Sequence, residues 1–195
     1  NGTDSGSSYV VFGKASGFGS TMNLSSLDGT TGFIINGIDA GDFSGVSVSS
    51  AGDVNADGFD DLGVSVDVPT NNDWVGVIFG GPNVAPDGLF CLDDLNGNNG
   101  FRIVRGNGSP AASIGYAGDI NGDGINDFLA QAGRTTVMHG APGIGASGQI
   151  DVDDFDGLQG FRWPGGRARS QAGDVNGEQG IGIAERGHVR GLWNL

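Results

Sequence analysis

Two residue types that usually shape a chain of this length are almost missing: 195 residues contain one cysteine and, among 23 acidic side chains, only two glutamates. A lone Cys91 excludes an internal disulfide, and such a residue is expected as a small buried strand residue rather than a nucleophile. Acids that are nearly all Asp point to short carboxylates in turns, not to the charged faces of helices. With nine basic residues the formal charge is −14, which makes nucleic acid and anionic membrane surfaces poor partners. Five of those nine, Arg162, Arg167, Arg169, Arg186 and Arg190, fall in the C-terminal stretch and read as scattered surface arginines. No apolar run approaches the roughly 20 residues that span a bilayer, so membrane insertion is not expected. A cleavable signal is not seen either, so any signal was removed or lies upstream of this piece.

Catalytic signatures are equally scarce. His139 and His188 are the only histidines, and neither a Gly-x-Ser-x-Gly elbow, a His-Glu-x-x-His helix nor a phosphate-binding loop occurs. The pairs Asp93-Asp94 and Asp153-Asp154 could in principle serve a glycosidase, but each precedes a repeated turn and reads as solvated turn residues. The chain itself is not expected to be an enzyme.

What the sequence does have is 40 glycines and an acidic nonapeptide written twice. Asp53-Val54-Asn55-Ala56-Asp57-Gly58-Phe59-Asp60-Asp61 and Asp119-Ile120-Asn121-Gly122-Asp123-Gly124-Ile125-Asn126-Asp127 each follow Ala-Gly and precede a short apolar run. Calcium takes six to eight oxygens, and alternate positions of a tight loop supply them. Positions one, three and five give Asp53, Asn55 and Asp57, or Asp119, Asn121 and Asp123. The glycine at position six, Gly58 or Gly124, lets the chain turn so that the carbonyl of Phe59 or Ile125 faces the ion, and Asp61 or Asp127 closes the ring. An EF-hand needs a glutamate at position twelve, where Val64 and Ala130 stand instead. Two Ca²⁺ sites are therefore expected. A third copy, Asp174 to Gly182, has lost the position-six glycine and the position-nine carboxylate and is expected empty or weak.

The loops sit inside a longer repeat. Ala-Gly-Asp recurs at Ala51, Ala117 and Ala172; aromatic-Gly recurs at Phe12-Gly13 and Phe79-Gly80 and weakens to His139-Gly140. A third marker runs from Leu27 to Phe33, Leu95 to Phe101 and Phe155 to Phe161. Short apolar stretches between Gly, Asp and Asn clusters, such as Val46 to Ser50, Leu62 to Val66, Trp74 to Phe79 and Phe101 to Val104, predict four antiparallel strands per unit. The fold class read from this is all-β, about three four-stranded propeller blades, in approximate units 1–42 (partial), 43–108, 109–168 and 169–195 (partial). Trp74, Trp163, Trp193 and 11 phenylalanines argue for a buried core and against disorder. Closed propellers typically hold about four to eight blades, so the region is a fragment of a longer propeller, a ring completed by a homo-oligomer, or an open stack.

The run from Phe43 through the first loop to Asp61-Leu62-Gly63-Val64 and Val77-Ile78-Phe79-Gly80 resembles the FG-GAP repeat of integrin α-subunit propellers and bacterial surface proteins. The resemblance covers nearly the whole chain and is strongest in the first two units. It implies Ca²⁺ bound in a hairpin between two strands at the outer rim of a blade, by the matched Asp and Asn residues. The Gly-Ala-Pro that often follows the second strand in that family is missing after Val64 to Val66, and the third unit is degenerate. The function expected is a calcium-braced binding or adhesion module of a secreted or cell-surface protein, with a protein partner on a cell or matrix surface. The alternatives are a lectin that stacks glycans on Trp74, Trp163 or Trp193, and the non-catalytic propeller portion of a larger extracellular hydrolase or lyase.

Overall fold

The computed structural model describes residues 2–69, 72–105, 111–132, 134–154, 156–163, 169–173 and 182–185. The described residues are all-β, with three single-turn 3₁₀ segments and no α-helix. Among the described residues fourteen strands follow one another: β1 (Ser7–Val11), β2 (Gly32–Asn36), β3 (Val48–Gly52), β4 (Asp61–Val66), β5 (Trp74–Ile78), β6 (Leu89–Cys91) and β7 (Gly100–Val104) come first. They continue with β8 (Ala111–Gly118), β9 (Asp127–Ala132), β10 (Arg134–Met138), β11 (Gln149–Asp151), β12 (Gly160–Trp163), β13 (Arg169–Gly173) and β14 (Gly182–Glu185).

The sequence neighbours β3–β4, β4–β5, β8–β9 and β9–β10 pair antiparallel across short connections, while β1 and β2 pair antiparallel across the longer stretch 12–31. The sheets have the orders β1-β2-β6, β11-β7-β5-β4-β3, β12-β10-β9-β8 and β13-β14. Two strands break the meander: β6 and β11 leave the connection after β5 or β10 and pair in parallel with β2 or β7 of the preceding sheet. The first sheet is thus stitched to the second, and the second to the third, by one borrowed strand each. No α-helix covers a sheet face, so apolar faces meet one another.

The middle sheet is buried on both sides, and the two-residue strand period divides its side chains between two cores. From β5, Val75 and Val77 join Phe101, Ile103, Ile114, Phe128 and Met138 against the third sheet. Trp74 and Ile78 join Phe33, Ile35, Val64, Val66 and Leu92 against the first. At about 1.5 to 3 kcal/mol for each large apolar side chain removed from water, these two layers dominate the stability of the described region. Close approach of the second and third sheets needs Gly63, because a β-carbon there would lie 2.8 Å or less from three carbons of Ile114.

The repeat markers acquire structural causes. In Ala-Gly-Asp the glycine sits at a register shift of the strand pair, between Ser50 and Gly52 and between Tyr116 and Gly118, with φ of 76° at both Gly52 and Gly118. That is a β-bulge with a left-handed glycine, which swings the following Asp out of the ladder into the loop. The aromatic-Gly position packs its ring on the aromatic of the third marker: Phe12 on Phe33, Phe79 on Phe101, and His139 on Phe161, with centroids 5.9, 5.7 and 6.3 Å apart. His139 therefore stands in a packing position. The Asp or Asn of the third marker caps its own turn, Asp28 accepting from the N–H groups of Thr30 and Thr31 and Asp156 from those of Leu158 and Gln159. Asp93-Asp94 and Asp153-Asp154 lie in 3₁₀ turns before that marker, with Asp93 paired to Arg102.

Candidate metal centre

The two acidic loops join the first strand of a sheet to its second, β3 to β4 and β8 to β9, and they close through the same hydrogen bonds. In the first, Asp53 accepts from the backbone N–H of Asp57 (3.0 Å) and Gly58 (2.9 Å), and Asn55 Oδ1 also accepts from Asp57 N–H (3.0 Å). Asp57 Oδ1 accepts from Phe59 N–H (2.9 Å), while its Oδ2 takes the Asn55 side-chain amide (2.8 Å). In the second loop Asp119 accepts from Asp123 and Gly124, Asn121 from Asp123, and Asp123 from Ile125 and the Asn121 amide. The left-handed glycines at position six, Gly58 at φ 91° and Gly124 at φ 86°, make this winding possible. Position four is left-handed as well, occupied by Gly122 in one loop and by Ala56 at φ 61° in the other.

Positions one, three and five are partly or fully exposed, whereas position nine is buried. Asp61 is 2% exposed and Asp127 fully buried. Each spans its loop: Asp61 Oδ2 accepts from Val54 N–H (2.8 Å) and Oδ1 from Gly80 N–H (2.8 Å); Asp127 Oδ2 accepts from Ile120 (2.7 Å) and Oδ1 from Gly140 (2.9 Å). Burial pushes the Asp61 carboxyl up to about 6, against the pull of those two N–H groups and with the charges of Asp57 and Asp53 adding to the rise. Burial likewise raises Asp127, opposed by the Gly140 and Ile120 N–H groups and by His139.

The donor set suits a hard cation. Every expected ligand is an oxygen, three of them carboxylate groups per loop; in the first loop Asp53 and Asp61 accept one N–H per oxygen and retain lone pairs for a metal, whereas in the second Asp119 Oδ1 accepts from Gly122 and Asp123 and Asp127 Oδ2 from Ile120 and Asn121. Among the described residues the ion pairs are Arg102–Asp93 and Arg105–Asp153, so no basic side chain offsets either loop by direct pairing. The structure brings Asp53, Asn55, Asp57, Phe59 and Asp61, and likewise Asp119, Asn121, Asp123, Ile125 and Asp127, into one turn each. It does not converge them: no group of three or more His, Cys, Asp or Glu among the described residues gathers at metal-holding distance. The third loop, from Asp174 to Gly182, falls outside the described residues except for its last residue, and Trp193 and His188 lie outside them as well.

Two participants carry no ligand pattern and were invisible in the loops themselves. Gly80 and Gly140 give the N–H that holds position nine, and a β-carbon on either would run into the carbonyl of Asp60 or Asn126. Their signal was the aromatic-Gly marker, which continues as Gly80-Gly81-Pro82 and Gly140-Ala141-Pro142 after the third strand rather than the second. Asn126, at position eight of the second loop, accepts from Asp53 N–H (2.9 Å) and donates to Tyr116 Oη (3.2 Å), tying one loop to the other across the sheet interface. Trp74 is 8% exposed with the Arg102 guanidinium 4.7 Å from its ring centroid, so it offers no face to a sugar. The chain matches no protein-family model and no curated protein sequence.

Proposed function

We propose that this chain is a non-enzymatic calcium-binding module of a secreted or cell-surface protein, built of FG-GAP-like propeller blades that Ca²⁺ braces for protein binding or adhesion. The observation that carries the reading is the two acidic loops, which repeat not only their sequence but a common hydrogen-bond network at the same turn of successive sheets. The loops differ at Val54/Ile120, Ala56/Gly122, Phe59/Ile125 and Asp60/Asn126, and the network they share runs through the like residues at positions one, three, five and six, the set that a common ligand would require. Asp53, Asn55, Asp57 and the Phe59 carbonyl would hold one ion and Asp119, Asn121, Asp123 and the Ile125 carbonyl the other, with Asp61 and Asp127 as the innermost carboxylates. Bound calcium supplies counter-charge; the chain supplies the turn, the inward N–H groups and the burial of position nine.

An extracellular setting follows from energetics. With a dissociation constant of about 0.1 mM and about 1 mM calcium, linkage stabilises the fold by roughly 1.4 kcal/mol per site, whereas cytosolic calcium would add almost nothing. Isothermal titration of the metal-free chain with CaCl₂ is expected to give two sites, reduced to one by Asp119→Ala combined with Asp123→Ala. A flat titration, together with a melting curve unmoved by chelator, would refute the calcium role.

A further inference from the structure

The two acidic loops are joined by hydrogen bonds that neither loop needs in order to close on itself. Position eight of the second loop, Asn126, grips the backbone of position one of the first: its Oδ1 accepts from Asp53 N–H (2.9 Å), and its own backbone N–H donates to the Asp53 carbonyl (3.3 Å). The Asn126 side-chain amide donates in turn to Tyr116 Oη (3.2 Å). Both residues lie against Gly52, where a β-carbon would stand 2.6 Å from Tyr116 Cε2 and 2.7 Å from Asn126 Cβ, so only glycine admits this approach.

A second connection runs beside the first. Ala141 N–H donates to the Val54 carbonyl (2.9 Å), Val54 N–H holds Asp61 Oδ2 (2.8 Å), and the neighbouring Gly140 N–H holds Asp127 Oδ1 (2.9 Å). The buried position-nine carboxylates of the two loops are thereby linked through Gly140-Ala141 and the fully buried Val54. A β-carbon on Gly140 would meet the carbonyl oxygens of Asn126 and Val54 together, so the two connections are packed on one another.

We propose that the two loops are one coupled unit: order in the second loop is transmitted through Asn126 and Ala141 to Asp53 and Val54, and an ion held by the second loop raises the affinity of the first. The cause is the place of Asn126 in the sequence. It stands between Ile125, whose carbonyl is an expected ligand, and Asp127, the innermost carboxylate, so whatever fixes those two fixes Asn126. Asn126 fixes the backbone of Asp53, whose carboxylate takes the Asp57 and Gly58 N–H groups and winds the first loop. A loop already wound loses less conformational entropy on binding, which makes the coupling positive, and linkage makes it equal in both directions. A cation on the second loop also weakens the negative field at the first, but between exposed charges that opposing effect is screened over about 8 Å at physiological salt. The affinity statement rests on the calcium reading; the transmission between loops does not.

Amide hydrogen exchange in the metal-free chain tests the transmission. Asp119→Ala with Asp123→Ala, which removes the carboxylates that wind the second loop, is expected to speed exchange of the Val54 N–H at least about fivefold, and to add little once Asn126→Ala has cut the link. Calcium titration followed by nuclear magnetic resonance at the Gly58 and Gly124 amides tests the affinity. The two signals are expected to titrate together, with first-loop affinity at least about fivefold above that of the Asp119→Ala, Asp123→Ala chain. Asn126→Ala is expected to bring that ratio towards one, and Tyr116→Phe, which removes only the hydroxyl that orients Asn126, to lower it in part. Asn126→Asp keeps the acceptor oxygen, places there the residue type that the first loop has as Asp60, and is expected to restore it. Val54 exchange that ignores the second loop, Gly58 and Gly124 amides that titrate independently, or coupling undiminished by Asn126→Ala each overturns the proposal. A flat titration overturns the calcium reading and the affinity statement with it, whereas Val54 exchange decides the transmission in either case.

Discussion

Removing calcium and lowering the pH are expected to act in opposite directions on stability, and the buried position-nine carboxylate sets the size of the second effect. Asp61 titrates near 6 in the folded chain, above the ordinary 3.8, because burial disfavours its charged form more than the Val54 and Gly80 N–H groups favour it. A carboxyl raised on folding costs stability when ionised: the penalty is absent below the unfolded value, grows between the two, and is complete above about 6. Linkage between those two values gives a penalty of about 3 kcal/mol at pH 7 and roughly half of that at pH 5, so acidification over that range returns on the order of 1 kcal/mol. Asp127 shifts the same way and adds to the gain. The assay is urea unfolding of metal-stripped protein at pH 7, 6 and 5, with the midpoint compared at constant m. With saturating calcium the cation supplies the counter-charge that desolvation withholds, so the slope flattens or reverses. Asp61→Asn cannot titrate and is expected to lose the Asp61 share of the slope, while itself costing stability because an amide offers one acceptor where two N–H groups point. A metal-free protein that weakens from pH 7 to pH 5, or an Asp61→Asn variant with the full slope, would refute this assignment of the buried charge.

Two substitutions test the architecture that holds the loops. Gly63→Ala puts a β-carbon into Ile114 and is expected to cost about 1 to 3 kcal/mol by overpacking; Ile114→Ala alone should cost about 2 to 5 kcal/mol, yet the double variant should lose clearly less than the sum, since Ile114→Ala deletes all three carbons that the new β-carbon would meet. Strict additivity in urea midpoints would show that these two residues do not meet. Ala56→Gly relieves a left-handed alanine at the position where the second loop already has Gly122, and is expected to raise stability by up to about 1 kcal/mol or leave it unchanged, the gain offset by the freer unfolded chain. A clear loss in thermal melting would mean that Ala56 does not occupy that conformation.

How far the sequence reached follows from the range of each interaction. The strands around the first loop were legible because their cause is local: alternation over five or six residues, bounded by glycine and aspartate, places β4 over Asp61–Val66 and β5 over Trp74–Ile78, close to the expected stretches. The strand before the loop starts at Val48 rather than Val46, since Gly45 and Ser47 bond around Ser65 with an irregular register before the ladder settles. Loop membership was legible for the same reason, because alternate acidic residues and a glycine at position six define their own turn.

The remainder depends on partners far along the chain, and no local pattern announces it. β6 and β11 are three-residue strands whose ladders lie on the preceding sheet, so their sequences, Leu-Phe-Cys and Gln-Ile-Asp, carry no alternation long enough to read. Asn126 stands at position eight, which has no part in the ligand pattern, and its bond to Asp53 crosses 73 residues. The burial of Asp61 and Asp127 was hidden because a carboxylate in an acidic loop is expected in water, whereas here the bulge at Gly52 or Gly118 and the glycine at 80 or 140 draw it beneath the turn. The aromatic-Gly marker and the acidic loop were read as two separate signals of one repeat, yet they are the two ends of a single contact: the ring packs the strand exit into the core, and the adjacent N–H reaches back to hold position nine. A substitution at either end is therefore expected to disturb the loop, which makes the marker glycines, and not only the acidic side chains, part of what any bound ion would depend on.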